Sequence, residues 1–367
     1  MSATRSNRAV RSAARLRNVL FALFVGVPLA LMLSDRKSDV PFPVPNGMAG
    51  IFEFPSEFEH YFGNGFETRK PLARMHGRIL QAVGTGIRTG GVLRGKDGWM
   101  FLTEAGVLQD YRREDPLPRE KLERLRRRFE TNQSFCNERG VEYALMIVPA
   151  KETVLTDMLP GGIEERRAGG SRTAYVQRFL QTKCVDLSPI DLVGPLRDAR
   201  SWNEPYFKTD THWNEAGALV AYRELLLRLR ESNAELSIPE LVSAAVLSKA
   251  IKGGNEAQIL GLADEVDERY LTISLSDARG VHRVDGKPLT FDQLNRAQFS
   301  KGNLHTQCDA GEWKSAIVFH DSFGLAPIKF IGRNFRDTYF MWSDFATTAV
   351  DRIRPEVVIQ IVWAGHL

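Results

Sequence analysis

Two short stretches of this chain hold residue types that can make and break acyl bonds. In "YFKTDTHWNEAG", residues 206–217, Asp210 stands two positions before His212, with Trp213 next to it. In "SAIVFHDSFG", residues 315–324, Asp321 and Ser322 follow an apolar run. A serine hydroxyl is a weak nucleophile until a base within hydrogen-bond reach takes its proton, and the base needs a third group to fix its tautomer and stabilise the imidazolium. Asp210 can reach the ring of His212 within one turn, so the pair lacks only a serine supplied by the fold. Ser322 is that candidate: Gly324 permits tight backbone geometry, and the Ser322 amide can point at an oxyanion. Taken alone, a D-x-H is more often a helix cap or surface residue, and D-S-x-G serves any turn. A metal is the other chemistry open to these residues. Asp210 and His212 have no third ligand at binding spacing, His305 and His320 do not complete a set, and neither metal nor cofactor is expected.

The elements that must position these groups alternate between helix and apolar strand. Residues 118–138 place Leu122, Leu125, Phe129 and Phe135 on a helical stripe, Gly140 stops it, and "VEYALMIVPAK" follows as a buried strand. "SRTAYVQRFLQTKCVDLSPI" repeats the order, with a short strand expected around Val185. "NEAGALVAYRELLLRLRES" is a helix directly after the histidine, and "SAIVF", "DTYFMWS" and "PEVVIQIVWAG" read as strands. This alternation predicts an α/β fold with a parallel sheet covered on both faces, with ligands at the carboxyl ends of its strands. "GVLRGKDGWMFLTEAG" (91–106) reads as a β-hairpin turning at "GKDG". Between Ala234 and Trp313 the pattern weakens, which predicts an insertion or cap around 234–313.

Composition sets the rest. The chain has 367 residues, 43% of them hydrophobic, enough for one large core or two smaller ones. Its net charge of +4 is concentrated at the start: Arg5, Arg8, Arg11, Arg15 and Arg17 precede the first acidic residue. The remainder is close to neutral, so no nucleic-acid partner is expected. "RLRRRF" (124–129) reads as a solvated helix face. The arginines lead into "VLFALFVGVPLALML" (19–33), uncharged and followed by a proline- and glycine-rich stretch. That asymmetry predicts a signal anchor with residues 40 onward exported, a cleaved signal peptide being the alternative. The expected layout is a basic tail and anchor at 1–36, a linker and poorly defined region at 37–90, and a catalytic domain at 91–367. Cys136, Cys184 and Cys308 leave two options, a single disulfide with one free thiol or three buried small hydrophobes.

"KTDTHWNEAGALVAY" resembles the D-x-H-W-N-x-x-G motif of the SGNH-hydrolase-like alginate O-acetyltransferase family of AlgJ and AlgX type. "FHDSFG", "RPEVVI", "GKDGWMFL" and "VPAKETVL" resemble its nucleophile block, last strand, opening hairpin and early strand end, over roughly residues 90 to 363. The resemblance implies a three-layer α/β/α sandwich behind an N-terminal membrane helix, facing the periplasm and held at the inner membrane. It implies Ser322 as nucleophile, His212 as base and Asp210 as orienter, acetylating an extracellular polysaccharide with groups relayed by a multipass membrane O-acyltransferase. His320 departs from the glycine usual in G-D-S, and "WAGHL" stands where an acidic and a basic residue are expected. Trp213, Tyr339 and Trp342 could stack on sugar rings or simply pack in the core. An esterase using the same residues, and a non-catalytic polysaccharide-binding or assembly subunit, are the alternatives to transfer.

Overall fold

The computed structural model describes residues 88–89, 91–103, 117–161, 172–183, 187–232, 245–275, 280–285 and 303–367, with a few isolated positions elsewhere. The elements below all belong to a unit spanning Ala82–Leu367. The expected anchor at 19–33 and Cys184 lie outside the described residues. Among the described residues no helix is long and apolar enough to cross a membrane.

In chain order the strands are β1 (Arg88–Thr89), β2 (Val92–Arg94), β3 (Met100–Leu102), β4 (Glu142–Val148), β5 (Ala245–Lys252), β6 (Asp267–Ser274), β7 (His282–Arg283), β8 (Leu304–Gln307), β9 (Trp313–His320), β10 (Phe335–Met341) and β11 (Val357–Trp363). The helices are α1 (Arg119–Asn137), α2 (Lys151–Val154), α3 (Arg172–Lys183), α4 (Val193–Ala199), α5 (Glu215–Leu229), α6 (Asn255–Ile259), α7 (Ile328–Ile331) and α8 (Thr347–Ile353). The hairpin predicted at "GKDG" forms from β2 and β3, with Asp97 and Gly98 at positive φ in its turn. The helix predicted over 118–138 is α1, and Gly140, at φ 66°, ends it.

The main sheet runs β4-β11-β9-β10-β8-β7. Its first four strands are parallel, and their side chains alternate between two cores. Tyr143, Leu145, Ile147, Ile317, Phe319 and Val358 face the layer of α1 and α3. Ala144, Met146, Val148, Ala316, Val318 and Ile359 face the layer of α4 and α5. Near-continuous apolar strands are what a sheet covered on both faces requires.

The sheet is mixed, not parallel throughout as expected: β8 pairs antiparallel with β10, and β7 antiparallel with β8. The reason is chain length. Only residues 308–312 separate β8 from β9, and a parallel return needs a crossover of a dozen residues or more. β8 therefore runs opposite to β9, with β10 between them. Of the short strand expected around Val185, residues 184–186 lie outside the described set, and Ile190 makes an isolated parallel bridge to Met146. The weakly patterned 245–274 stretch is a two-stranded antiparallel ribbon of β5 and β6, carrying α6 between its strands. Cys136 and Cys308 are buried and unbridged.

Helix α5, which starts directly after the histidine block, begins by local chemistry. The Asn214 side chain caps it by accepting hydrogen bonds from the amides of Ala216 and Gly217, and its Nδ2 donates to the Glu204 carbonyl at 2.7 Å. Gly217 lets this end pack: a Cβ there would lie 2.3 Å from the Pro205 carbonyl oxygen and 2.9 Å from Trp213 Cβ. Alanine is preferred over glycine inside a helix by about 1 kcal/mol. The clash outweighs that preference, so Gly217→Ala is expected to destabilise the protein by about 1–3 kcal/mol in a thermal or denaturant melt.

Candidate active site

Strand β9 ends at His320, and the chain turns sharply through a short 3-10 segment, Ser322–Gly324. Asp321 builds this turn. Its Oδ1 accepts from the Phe323 amide at 2.9 Å, and its Oδ2 accepts from the Trp363 amide at 2.7 Å and from His366 Nδ1 at 3.1 Å. The acidic N-cap thus ties the serine turn to the end of β11. Gly324 is needed for space rather than for a left-handed backbone, since a Cβ there would lie 2.3 Å from both Cβ and Cγ of His320.

The second loop brings its chemistry to the same place. Tyr206 bridges to Trp213, closing the turn that holds Asp210 and His212. Asp210 Oδ1 accepts from the His212 amide at 3.0 Å and lies 2.6 Å from His212 Nδ1. His212 Nε2 lies 2.7 Å from Ser322 Oγ, 110 residues away in the chain. A carboxylate only accepts, so Nδ1 carries the proton and Nε2 presents its lone pair to the serine hydroxyl. This is the tautomer of a general base. The His212 and Asp210 side chains are 15% and 18% exposed, enough for access while most water is kept away.

Trp213 locks the two loops together. It is buried, its Nε1 donates to the Phe323 carbonyl at 2.9 Å, and its ring meets the Phe323 ring edge-on. Its place is the core, not a sugar-facing surface. The Phe323 ring also lies 4.6 Å from the His212 ring, centroid to centroid. Tyr339 stacks on His305 at 4.1 Å, and Trp342 is partly buried beside His320.

Sequence reasoning missed the groups that hold the acid loop. Lys151, at the carboxyl end of β4, is buried, and its Nζ donates to the carbonyls of Asp210 (2.9 Å), Phe207 (3.2 Å) and Lys208 (3.4 Å). It also pairs with the buried Glu256 of α6 at 3.4 Å. Burial pushes the Glu256 carboxyl above the usual carboxylate range, against the pull of Lys151. Glu256 accepts from the Thr211 hydroxyl at 2.9 Å, and the Asn255 amide donates to Asp210 Oδ2 at 3.0 Å. Glu268 of β6 accepts from the amide and hydroxyl of Thr209 and from the amide of Lys208. The signals were present as "VPAK" and "GGNE", but neither has a period or a motif that names a partner.

A cavity of about 340 Å³ opens at the carboxyl ends of β9, β10 and β11, lined by Arg128, His320, Asp321, Trp342, Asp344 and His366 among others. The Asp321 carboxylate beside His366 holds that imidazole above the ordinary histidine range. Burial holds His320 below it, and its Nδ1 donates to the Asp321 carbonyl at 2.7 Å.

Two expectations follow from these contacts. A Cβ on Gly254 would lie 2.4 Å from Asp210 Cβ and 2.7 Å from its Oδ2, so Gly254→Ala should displace the acid and lower the turnover number while secondary structure by circular dichroism is retained. His366 has a raised folded-state pKa, so its stabilising contribution is complete below the unfolded value of about 6.5 and is lost as pH rises through the folded value. Wild type should therefore melt above His366→Gln at about pH 5.5, the gap narrowing above pH 7.

Comparison with known proteins places this geometry in context. Residues 92–269 match the family described as SGNH hydrolase-like domain, acetyltransferase AlgX. That span contains Asp210, His212 and their supports Lys151, Asn255, Glu256 and Glu268, and ends before Ser322. The probable alginate O-acetylase AlgJ of Pseudomonas aeruginosa is 28% identical over 226 residues, covering 59% of this chain and 53% of that protein. The chain thus spans about half the length of this curated relative. Bacillus cereus PatB1 superposes with a TM-score of 0.55 at 15% identity, covering 75% of this chain and 96% of that one. A DHHW family protein from Eubacterium siraeum gives 0.52 at 18% identity, covering 76% and 92%. The two structures share the fold. The resemblance read from the D-T-H-W block is thereby borne out as a likeness: residues 92–269, which carry that block, match an SGNH hydrolase-like domain of the AlgX acetyltransferase type.

Proposed function

We propose that this protein is an O-acetyltransferase that acts through an acetyl-Ser322 intermediate. The observation that carries the reading is the unbroken line Asp210–His212–Ser322, with contacts of 2.6 and 2.7 Å. Ser322 Oγ attacks the acetyl carbonyl as His212 Nε2 takes its proton, and Asp210 holds the ring and offsets the imidazolium charge. The proton then passes to the leaving group, and the acetyl group rests on Oγ. In the second half, His212 takes the proton of an acceptor hydroxyl as its oxygen attacks the ester carbonyl; the acyl–Oγ bond then breaks, the acetyl group leaves on the acceptor, and the proton returns from His212 to Ser322 Oγ. The Ser322 amide is the donor proposed for the oxyanion of both tetrahedral intermediates.

The acceptor is a hydroxyl of an extracellular polysaccharide, and the acetyl donor is a multipass membrane O-acyltransferase. The name of the Pseudomonas relative, an alginate O-acetylase, supports the acceptor class. Residues 40 onward work in the periplasm, tethered through 19–33 or released from a cleaved signal. The arginine asymmetry around that segment supports this placement.

Ser322→Ala and His212→Ala are each expected to lower turnover of an activated acetyl ester by about 10⁴-fold or more, with no further loss when combined, because the members act as a unit. Asp210→Asn should lose roughly 10³–10⁴-fold with the fold intact. Additive losses would contradict a shared mechanism. A suitable oligosaccharide should raise turnover and gain acetyl mass, since a bound hydroxyl competes with water at a high effective concentration. Acetate release indifferent to every saccharide would instead identify an esterase.

A further inference from the structure

His320 stands immediately before the Asp321–Ser322 pair, where resemblance alone leads one to expect a glycine. Its ring is buried and packed against Gly324, whose missing side chain leaves room for it. Its Nδ1 donates to the Asp321 carbonyl at 2.7 Å, and the Gly324 amide donates to the same oxygen at 3.1 Å. Since that partner only accepts, Nδ1 carries a proton and the other nitrogen, Nε2, is a buried lone pair with no partner among the described residues.

The consequence lies in the peptide unit itself. No cis peptide occurs among the described residues, and in a trans peptide the carbonyl and the following N–H point in opposite directions. Fixing the Asp321 carbonyl from two sides therefore fixes where the Ser322 N–H points. The neighbouring amides of Phe323 and Gly324 are already bound to Asp321. Among the described residues Ser322's own N–H meets no acceptor, so it is left to meet charge developing on a substrate oxygen.

We infer that His320 is a positioning residue that aims the Ser322 amide as the oxyanion donor by clamping the Asp321 carbonyl through Nδ1. This rests on the acyl-transfer reading above. Burial that keeps the ring neutral suits the role, because a charged ring would be poorly tolerated there and the hydrogen bond needs only the Nδ1 proton.

The test uses side chains that separate the two ring nitrogens. Asparagine places an amide N–H₂ near the position of Nδ1, whereas glutamine extends it toward Nε2 and leucine removes the donor. The full chain carrying His320→Asn, His320→Gln or His320→Leu is assayed with an activated acetyl ester beside wild type and Ser322→Ala, with thermal melts for each. The expected result is that His320→Asn retains most of kcat, while His320→Gln and His320→Leu lose about 10²–10³-fold in kcat with KM little changed, the cost of a lost oxyanion donor. Should the leucine variant fail to fold, the asparagine and glutamine variants decide between themselves. Asparagine as impaired as glutamine, or a fully active folded leucine variant, would overturn the inference. An active Ser322→Ala would instead overturn the acyl-serine reading, so the two failures are told apart.

Discussion

A single 2.7 Å contact between His212 Nε2 and Ser322 Oγ joins two loops 110 residues apart, and the surrounding construction serves to keep it. A base must sit within hydrogen-bond reach of the proton it takes, and an error of 1 Å costs orders of magnitude in rate. Neither loop is rigid by composition. The serine turn is held by Asp321, which binds the end of β11, and by Gly324 packed on His320. The histidine loop is held by the Tyr206–Trp213 bridge and by the indole of Trp213, which donates to the Phe323 carbonyl next to Ser322. Removing that indole would leave a buried carbonyl without its partner, worth about 1–3 kcal/mol, and would uncouple the loops.

Charge is managed in layers around the same contact. Asp210 is served by the amides of His212 and Asn255, and its loop carbonyls converge on the ammonium of Lys151. A buried lysine is tolerated because Glu256 and three carbonyls surround it. Glu268 performs the equivalent service for the amides of Lys208 and Thr209. The β5–β6 ribbon with α6 therefore belongs to the site as much as the main sheet does, since it supplies Asn255, Glu256 and Glu268. A second pair, the buried Glu215 with the partly buried Lys329, fixes the start of α5 to α7. Such pairs add little net stability, because desolvation offsets attraction, but breaking one leaves an uncompensated charge. Their role here is positional.

What the sequence disclosed follows from how local each signal is. The parallel strands were legible because burial on both faces forces continuous apolar runs, as in "YALMIV" and "AIVF". Asp210 and His212 were legible because their interaction spans two residues, and Ser322 because it follows an apolar strand in a D-S-F-G turn. Lys151 was hidden: its partners are mostly backbone carbonyls about 57 residues away, which no side-chain pattern records. The 245–274 ribbon was hidden because only part of it is buried, so no clean alternation appears. β8 was missed because four residues are too few to carry a period, and its antiparallel direction follows from a five-residue connection. Trp213 left both core packing and a sugar platform open in the sequence, and its burial and its bond to the Phe323 carbonyl decide for the core.

The central claim is that acetyl groups pass through Ser322 Oγ. It is tested most directly by quenching the purified protein during turnover of para-nitrophenyl acetate and measuring intact and peptide masses. The account predicts one added acetyl group on the peptide containing Ser322, absent in Ser322→Ala and lost when an acceptor oligosaccharide is added. Turnover with no acetyl-protein at any time, or acetyl found at another residue and still present in Ser322→Ala, would contradict it.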